Sequence, residues 1–305
     1  EVGKVILGQN RVIDLALTSI LAGGHALLVG APGLGKTLLV TTIGRVMGLD
    51  ARRVQFTPDL MPSDILGSEI LDEDAQGRRS FRFVAGPVFC QLLMADEINR
   101  ASPRTQSALL QAMQEHHVAI AGTDHALPRP FHVLATQNPI EQEGTYPLPE
   151  AQLDRFMMQI LLDFPDSASE RAMLLATTGA TQATADPVMS ADDVIAAQQV
   201  VRALPTGEKV VDAIVRLVRE ARPETTTDPT IREAVAWGPG PRAAQALMLA
   251  TRARALLDGR LSPTLDDVAA LAQPVLAHRM ALTFTARAEN RKLEQLIDGL
   301  LGHLG

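Results

Sequence analysis

The chain has a single cysteine, Cys90, so no disulfide can close within it and no thiolate metal site can be assembled from it. A lone cysteine suits a reducing compartment and reads as a small core residue. No apolar run approaches the roughly 20 residues of a membrane-spanning helix, and no charged, apolar and small-residue succession resembles a signal peptide. Membrane insertion is thereby excluded, and a soluble cytoplasmic protein is expected. Nor is there a basic surplus. The net charge is −7, divided as −5 up to Pro165 and −2 beyond it, and neither part offers the positive field that nucleic-acid binding needs. Lysine occurs four times against 24 arginines, which without a positive domain reads as a solvated surface. What the chain does have is size: 305 residues, 46% of them hydrophobic, can fill two cores. It begins at Glu1 rather than methionine, so a few residues are expected to precede it.

One of the few lysines lies in the most informative stretch. Ala26-Leu27-Leu28-Val29 reads as a short buried strand, and an apolar helix starts at Leu38. Between them, Gly30, Ala31, Pro32, Gly33, Leu34, Gly35, Lys36 and Thr37 match G-x-x-x-x-G-K-[ST] in full. The glycines let successive N–H groups converge on phosphate oxygens at the positive end of the helix dipole. Lys36 is placed for the β and γ phosphates, the Thr37 hydroxyl for Mg²⁺, and nucleotide binding follows.

Along the chain, the helical spacing of Val12, Ile13, Ala16, Leu17, Ile20 and Leu21 precedes this loop, and a helix from Leu38 to Met47 follows it, stopped by Gly48. Arg52 to Phe56, Gln91 to Ala95, His132 to Thr136 and Phe156 to Leu162 read as strands, with a helix from Pro103 to Glu115 between the second and third. Strands alternating with helices argue a parallel sheet covered on both faces. Alternation at Ser68 to Leu71 and Ser80 to Val84, around a turn at residues 72–77, predicts one inserted hairpin. A second is predicted around Gly122-Thr123-Asp124. Beyond Pro165 only helical signals remain: capping sequences at Ser190 and Thr264, helical spacing from Val210 to Val218, and helices over Arg242 to Leu257 and Asn290 to Leu301. Residues 179–187 read as a loop. The expected organisation is an α/β nucleotide-binding core over residues 1–165 and an all-α domain over 166–305.

Asp96 and Glu97 close the apolar strand Gln91 to Ala95, at the carboxyl edge where an open α/β sheet binds ligands. Phosphate-loop enzymes need a strand-end carboxylate on the magnesium ion, a role that fits Asp96, and the adjacent Glu97 fits the general base for the attacking water. Asn138 ends another buried strand, with its amide placed for the γ-phosphate or that water. His116, His117, His125 and His132 lack Cys or Glu at ligand spacing, so a surface reading is preferred to a metal site.

Six motifs in this order resemble the MoxR family of AAA+ ATPases: Gly30 to Thr37; Leu92 to Arg100; Thr105 to Glu115; Ala135-Thr136-Gln137-Asn138-Pro139; Leu148-Pro149-Glu150-Ala151-Gln152-Leu153-Asp154-Arg155-Phe156; and Gly238-Pro239-Gly240-Pro241-Arg242-Ala243. The resemblance runs from about Ile6 to Arg279. It implies an AAA+ core carrying two inserted hairpins, a helical lid, and a hexameric ring with ATP and Mg²⁺ between neighbours. In it Asn138 would be the first sensor, Arg155 the arginine finger acting on the adjacent subunit's ATP, and Arg242 the second sensor in the lid. Planar cationic donors of this kind stabilise charge spreading over phosphoryl oxygens. A cation at a helix start, where Arg242 lies, opposes the helix dipole unless an anion is present, which also favours phosphate contact. The family implies a chaperone that remodels or matures a protein client, with a von Willebrand factor A-domain protein as partner. The rivals are a nucleic-acid motor, for which no basic pore or appended DNA-binding domain is apparent, and an ATP-binding scaffold without turnover, against which Glu97, Asn138 and Arg155 argue.

Overall fold

The computed structural model describes residues 1–73, 77–140, 144–179 and 183–302. The chain opens with α1 (Val2–Val5), α2 (Asn10–Leu21), β1 (Ala26–Gly30), α3 (Lys36–Val46), β2 (Ala51–Gln55) and α4 (Pro62–Leu66). The antiparallel pair β3 (Gly67–Glu73) and β4 (Arg79–Ala85) leads to β5 (Leu92–Asp96). After α5 (Pro103–Glu115) a second antiparallel pair, β6 (His117–Ile120) and β7 (Thr123–Ala126), leads to β8 (His132–Gln137). Next come α6 (Glu150–Leu153), β9 (Met158–Leu162), α7 (Ser167–Thr178), α8 (Ala191–Ala203), α9 (Glu208–Glu220) and α10 (Pro229–Ala234). The last elements are β10 (Val235–Trp237), α11 (Pro241–Leu257), α12 (Leu265–Leu276), β11 (Ala281–Leu282), α13 (Phe284–Ala288) and α14 (Leu293–Leu301).

A five-stranded parallel sheet has the order β2-β5-β8-β1-β9. Every residue of β5 is buried, and in β8 all but the last are. Such strands are largely apolar because helices cover both faces of the sheet, with the polar residues at their ends. Strand β2 sits at the edge, which is why it tolerates Arg52, Arg53 and Gln55. Both predicted hairpins are present. Residues 74–76, in the predicted turn of the first, lie outside the described residues, as do residues 180–182 of the predicted loop. The second turns at Ala121-Gly122, both with positive φ (47° and 83°), the twist that suits a two-residue hairpin turn. The two hairpins meet where the His125 ring stacks on Phe83, centroids 3.8 Å apart at 18°.

Helix starts follow the sequence. Ser190 and Asp193 cap each other reciprocally (2.8 and 3.3 Å), and Thr264 and Asp267 form the same box at α12. The C-terminal region is helical, with one addition that periodicity missed: the antiparallel pair β10–β11, too short to leave an alternating pattern. Among the described residues no helix is long and apolar enough to cross a membrane.

The chain forms two compact units, residues 1–13, 27–148 and 162–195 in one, and 14–26, 149–161 and 196–305 in the other. Buried in the second is His278, whose Nε2 donates to the Phe156 carbonyl at 3.0 Å. Burial, and next the charge of Arg279, push its pKa from 6.5 down to about 3. The unfolded chain therefore takes the proton first as pH falls. The contribution of neutral His278 is complete above pH 6.5 and lost progressively toward pH 3, at up to ~1.4 kcal/mol per pH unit. Urea titrations from about pH 4 to 8 should show stability falling more steeply below pH 6.5 in wild type than in His278→Gln. Parallel curves would exclude His278 as the source.

Candidate functional site

Parallel strands place their carboxyl ends on one edge, and β5, β8 and β1 are consecutive in the sheet. Gly30 ends β1, Asp96 ends β5, and Asn138 follows β8, so the phosphate loop, the carboxylate pair and the asparagine share that edge. In the loop, a Cβ at Gly30 would lie 2.8 Å from Leu162, so only glycine fits. Gly33 and Gly35 adopt φ of 83° and 73°, and a Cβ on either would meet nothing within 4 Å, so it is the left-handed backbone and not crowding that favours glycine at both. Helix α3 begins at Lys36, whose ammonium donates to the Gly30 and Ala31 carbonyls at 2.5 and 3.1 Å. Buried Gln9 clips the loop from the N-terminal segment by donating to the Leu34 carbonyl at 3.0 Å.

Asp96 and Glu97 are aimed by a relay through Thr136. The Thr136 hydroxyl donates to Asp96 Oδ1 at 2.6 Å and accepts the Glu97 N–H at 2.8 Å. Glu97 adopts a left-handed conformation, φ 55° and ψ 50°, which costs a non-glycine residue on the order of 1 kcal/mol. Arg53 donates to Asp96 Oδ2 through Nε (3.0 Å) and Nη2 (2.7 Å), and also to Gln55 Oε1 at 2.8 Å. Gln55 in turn donates to Glu97 Oε2 at 2.8 Å, with Arg100 at 3.2 Å on the same oxygen. Sequence reasoning missed Gln9, Arg53, Gln55, Arg100 and Thr136. The available signal was Arg53 and Gln55 at i, i+2 on one face of β2, where Gln55 registers with Asp96.

Asn138 is buried, its Oδ1 accepting the Ile140 N–H at 3.1 Å. Its Nδ2 has no partner among the described residues. A buried donor left unpaired costs about 1–3 kcal/mol, so this one is available to a ligand acceptor at this edge. With the glycine loop and an ammonium held on loop carbonyls, it suits a nucleoside triphosphate.

Arg155 and Arg242 belong to the second unit. Arg155 follows α6 and is partly exposed. Arg242 lies in the first turn of α11, where its Nη1 is 3.7 Å from Asp154 Oδ2. The anion that a cation at a helix start requires is here a carboxylate of the same unit. Asp154 also pairs through Oδ1 with Arg279 Nε at 2.7 Å. Burial lowers the pKa of Arg279, against the pull of Asp154.

The chain matches the ATPase family associated with various cellular activities (AAA) over residues 25–158 and the AAA lid domain over residues 228–299. It is 42% identical over 302 residues to chaperone MoxR1 of Mycobacterium tuberculosis, covering 99% of this chain and 79% of that one. It is a MoxR-family AAA+ ATPase. The MoxR protein of Paracoccus denitrificans is 32% identical, with 97% of this chain and 90% of that one covered. A crystal structure of a candidate ATPase from Cytophaga hutchinsonii superposes with a TM-score of 0.90 at 40% identity, covering 98% of this chain and 91% of that one. The parallel sheet, the helical C-terminal region and ATP hydrolysis are thus the MoxR family's own. Nucleotide binding follows from membership in it.

Proposed function

We propose that this MoxR-family ATPase works in the cytoplasm as a chaperone, assembled into a hexameric ring that hydrolyses ATP between neighbours and uses the cycle to remodel or mature a protein client, with a von Willebrand factor A-domain protein as partner. The observation that carries the reading is the shared edge of β5, β8 and β1, where a complete phosphate loop, two carboxylates and an unpaired asparagine donor converge. The chaperone part rests on likeness to the Mycobacterium tuberculosis protein of that description. Support for a protein client comes from the first hairpin, which exposes Leu71 and Phe81, an apolar surface suited to an unfolded chain. The net charge of −7 gives no support to a nucleic-acid track.

In this reading residues 1–165 form the nucleotide core and 166–305 the lid. The amides of Gly30 to Leu38 hold the phosphates, and Lys36 leaves its loop carbonyls for the β and γ oxygens. Thr37 and Asp96 would hold Mg²⁺ through oxygen and water, and the ion would supply charge neutralisation at the phosphates. Glu97 accepts the proton of the attacking water, Asn138 donates to the γ-phosphate or to that water, Arg155 reaches the neighbour's ATP, and Arg242 senses the γ-phosphate from the lid.

A ring-dependent ATPase has turnover per chain that rises with protein concentration. Light scattering with a non-hydrolysable ATP analogue should show a closed oligomer, and turnover per chain should fall on dilution through the assembly range. Mass spectrometry on the trapped ring identifies the client. A chain that stays monomeric with saturating analogue, and whose turnover is unchanged on about hundredfold dilution, would overturn the ring reading.

A further inference from the structure

Arg279 lies just after α12, where a cation ordinarily serves as a solvated partner of the helix C-terminus. It is instead 2% exposed, and all its donors are engaged on one short segment and its own helix. Nε donates to Asp154 Oδ1 (2.7 Å), Nη1 to the carbonyls of Met157 (3.1 Å) and Val275 (2.6 Å), and Nη2 to the carbonyls of Asp154 (3.2 Å) and Phe156 (2.8 Å). Five N–H groups meet five acceptors, a complete use of the guanidinium fork. Three of those acceptors are the backbone carbonyls of residues 154, 156 and 157, which flank Arg155, and His278 adds a second donor to the Phe156 carbonyl. The chain between α6 and β9 is therefore clasped on both sides of Arg155, while the Arg155 side chain stays partly exposed.

We propose that Arg279 is a positioning residue for ATP hydrolysis: it fixes the backbone on which Arg155 stands, so that the finger's guanidinium is presented at a set place and angle. Asp154, shared between Arg279 and Arg242, ties the lid arginine to the same anchor. The inference rests on the reading of Arg155 as a finger acting on the neighbour's ATP. The need for such an anchor is quantitative, because a misplacement of about 1 Å in a group that stabilises transition-state charge costs on the order of a hundredfold in rate. Lysine at 279 keeps the charge but loses the fork, so it holds at most part of the segment.

The test is Arg279→Lys in the full chain. Expected are a folded protein, ATP affinity within about twofold of wild type, and kcat at least tenfold lower with little change in KM. The fault should lie on the finger side. Mixing with Glu97→Gln, which lacks the base but carries an intact 154–157 segment, should then restore part of the turnover. Mixing with Arg155→Ala should restore none, because both variants fail on the same side of the interface. Wild-type kcat in folded Arg279→Lys, or recovery on mixing with Arg155→Ala, would overturn the proposal. Full turnover by Arg155→Ala alone would instead remove the finger reading, whatever Arg279→Lys does. Should Arg279→Lys not fold, Asp154→Asn keeps the volume and an acceptor oxygen while losing the charge that aims Arg279, and it carries the same mixing test with the same outcomes.

Discussion

Arg155→Ala in assembled protein is expected to bind MgATP normally and to turn it over roughly 10³-fold more slowly or worse, the range that arginine fingers supply. The ground state loses little, since the finger acts on charge that spreads over the phosphoryl oxygens only in the transition state. The substitution shortens a partly exposed side chain and leaves the clasp of Arg279 on the neighbouring carbonyls in place, so the fold should be unaffected. Glu97→Gln is expected to be inactive for a different reason: its amide fills the same space but cannot take a proton. Mixed before ATP-driven assembly, the two dead variants create some interfaces where an intact Glu97 faces a neighbour's intact Arg155, and partial activity should return. Verified mixed rings that stay fully inactive would count against action across the boundary. Full activity of Arg155→Ala alone would reduce Arg155 to a structural cation.

Lys36→Ala is expected to weaken ATP binding by about a hundredfold or more. The bonds lost are charge-assisted, each contributing on the order of 1.5–3 kcal/mol, and the loop's neutral amides cannot replace a point charge between the β and γ phosphates. The ammonium rests on the part-buried Gly30 and Ala31 carbonyls, two bonds whose loss is small against the whole fold, so its removal should leave the melting temperature within a few degrees of wild type. Titration calorimetry reads the affinity directly. An unchanged value would remove the loop from the nucleotide site.

The phosphate loop, the strand-end carboxylates, both hairpins and the helical C-terminal region were legible in the sequence, because each is written in neighbouring residues. Gly33 and Gly35 mark backbone that only glycine adopts easily, buried strands announce themselves as apolar runs, and Ser190 and Thr264 cap helices through residues three positions on. Such features depend on local geometry, and local geometry follows from local sequence. The sequence could also place Asn138 at a strand end, though only burial shows its Nδ2 without a partner. What the tertiary structure alone decided are pairings between residues far apart in the chain. That Arg53 and Gln55 orient Asp96 and Glu97 depends on β2 lying in register beside β5, a choice that β2's own alternation does not encode. That Thr136 ties both carboxylates together depends on β8 being the next strand. Arg279, by its position after α12 an ordinary surface cation, becomes the buried anchor of the Arg155 segment because folding brings that end of the helix against residues 154–157, where five acceptors offset the loss of its water.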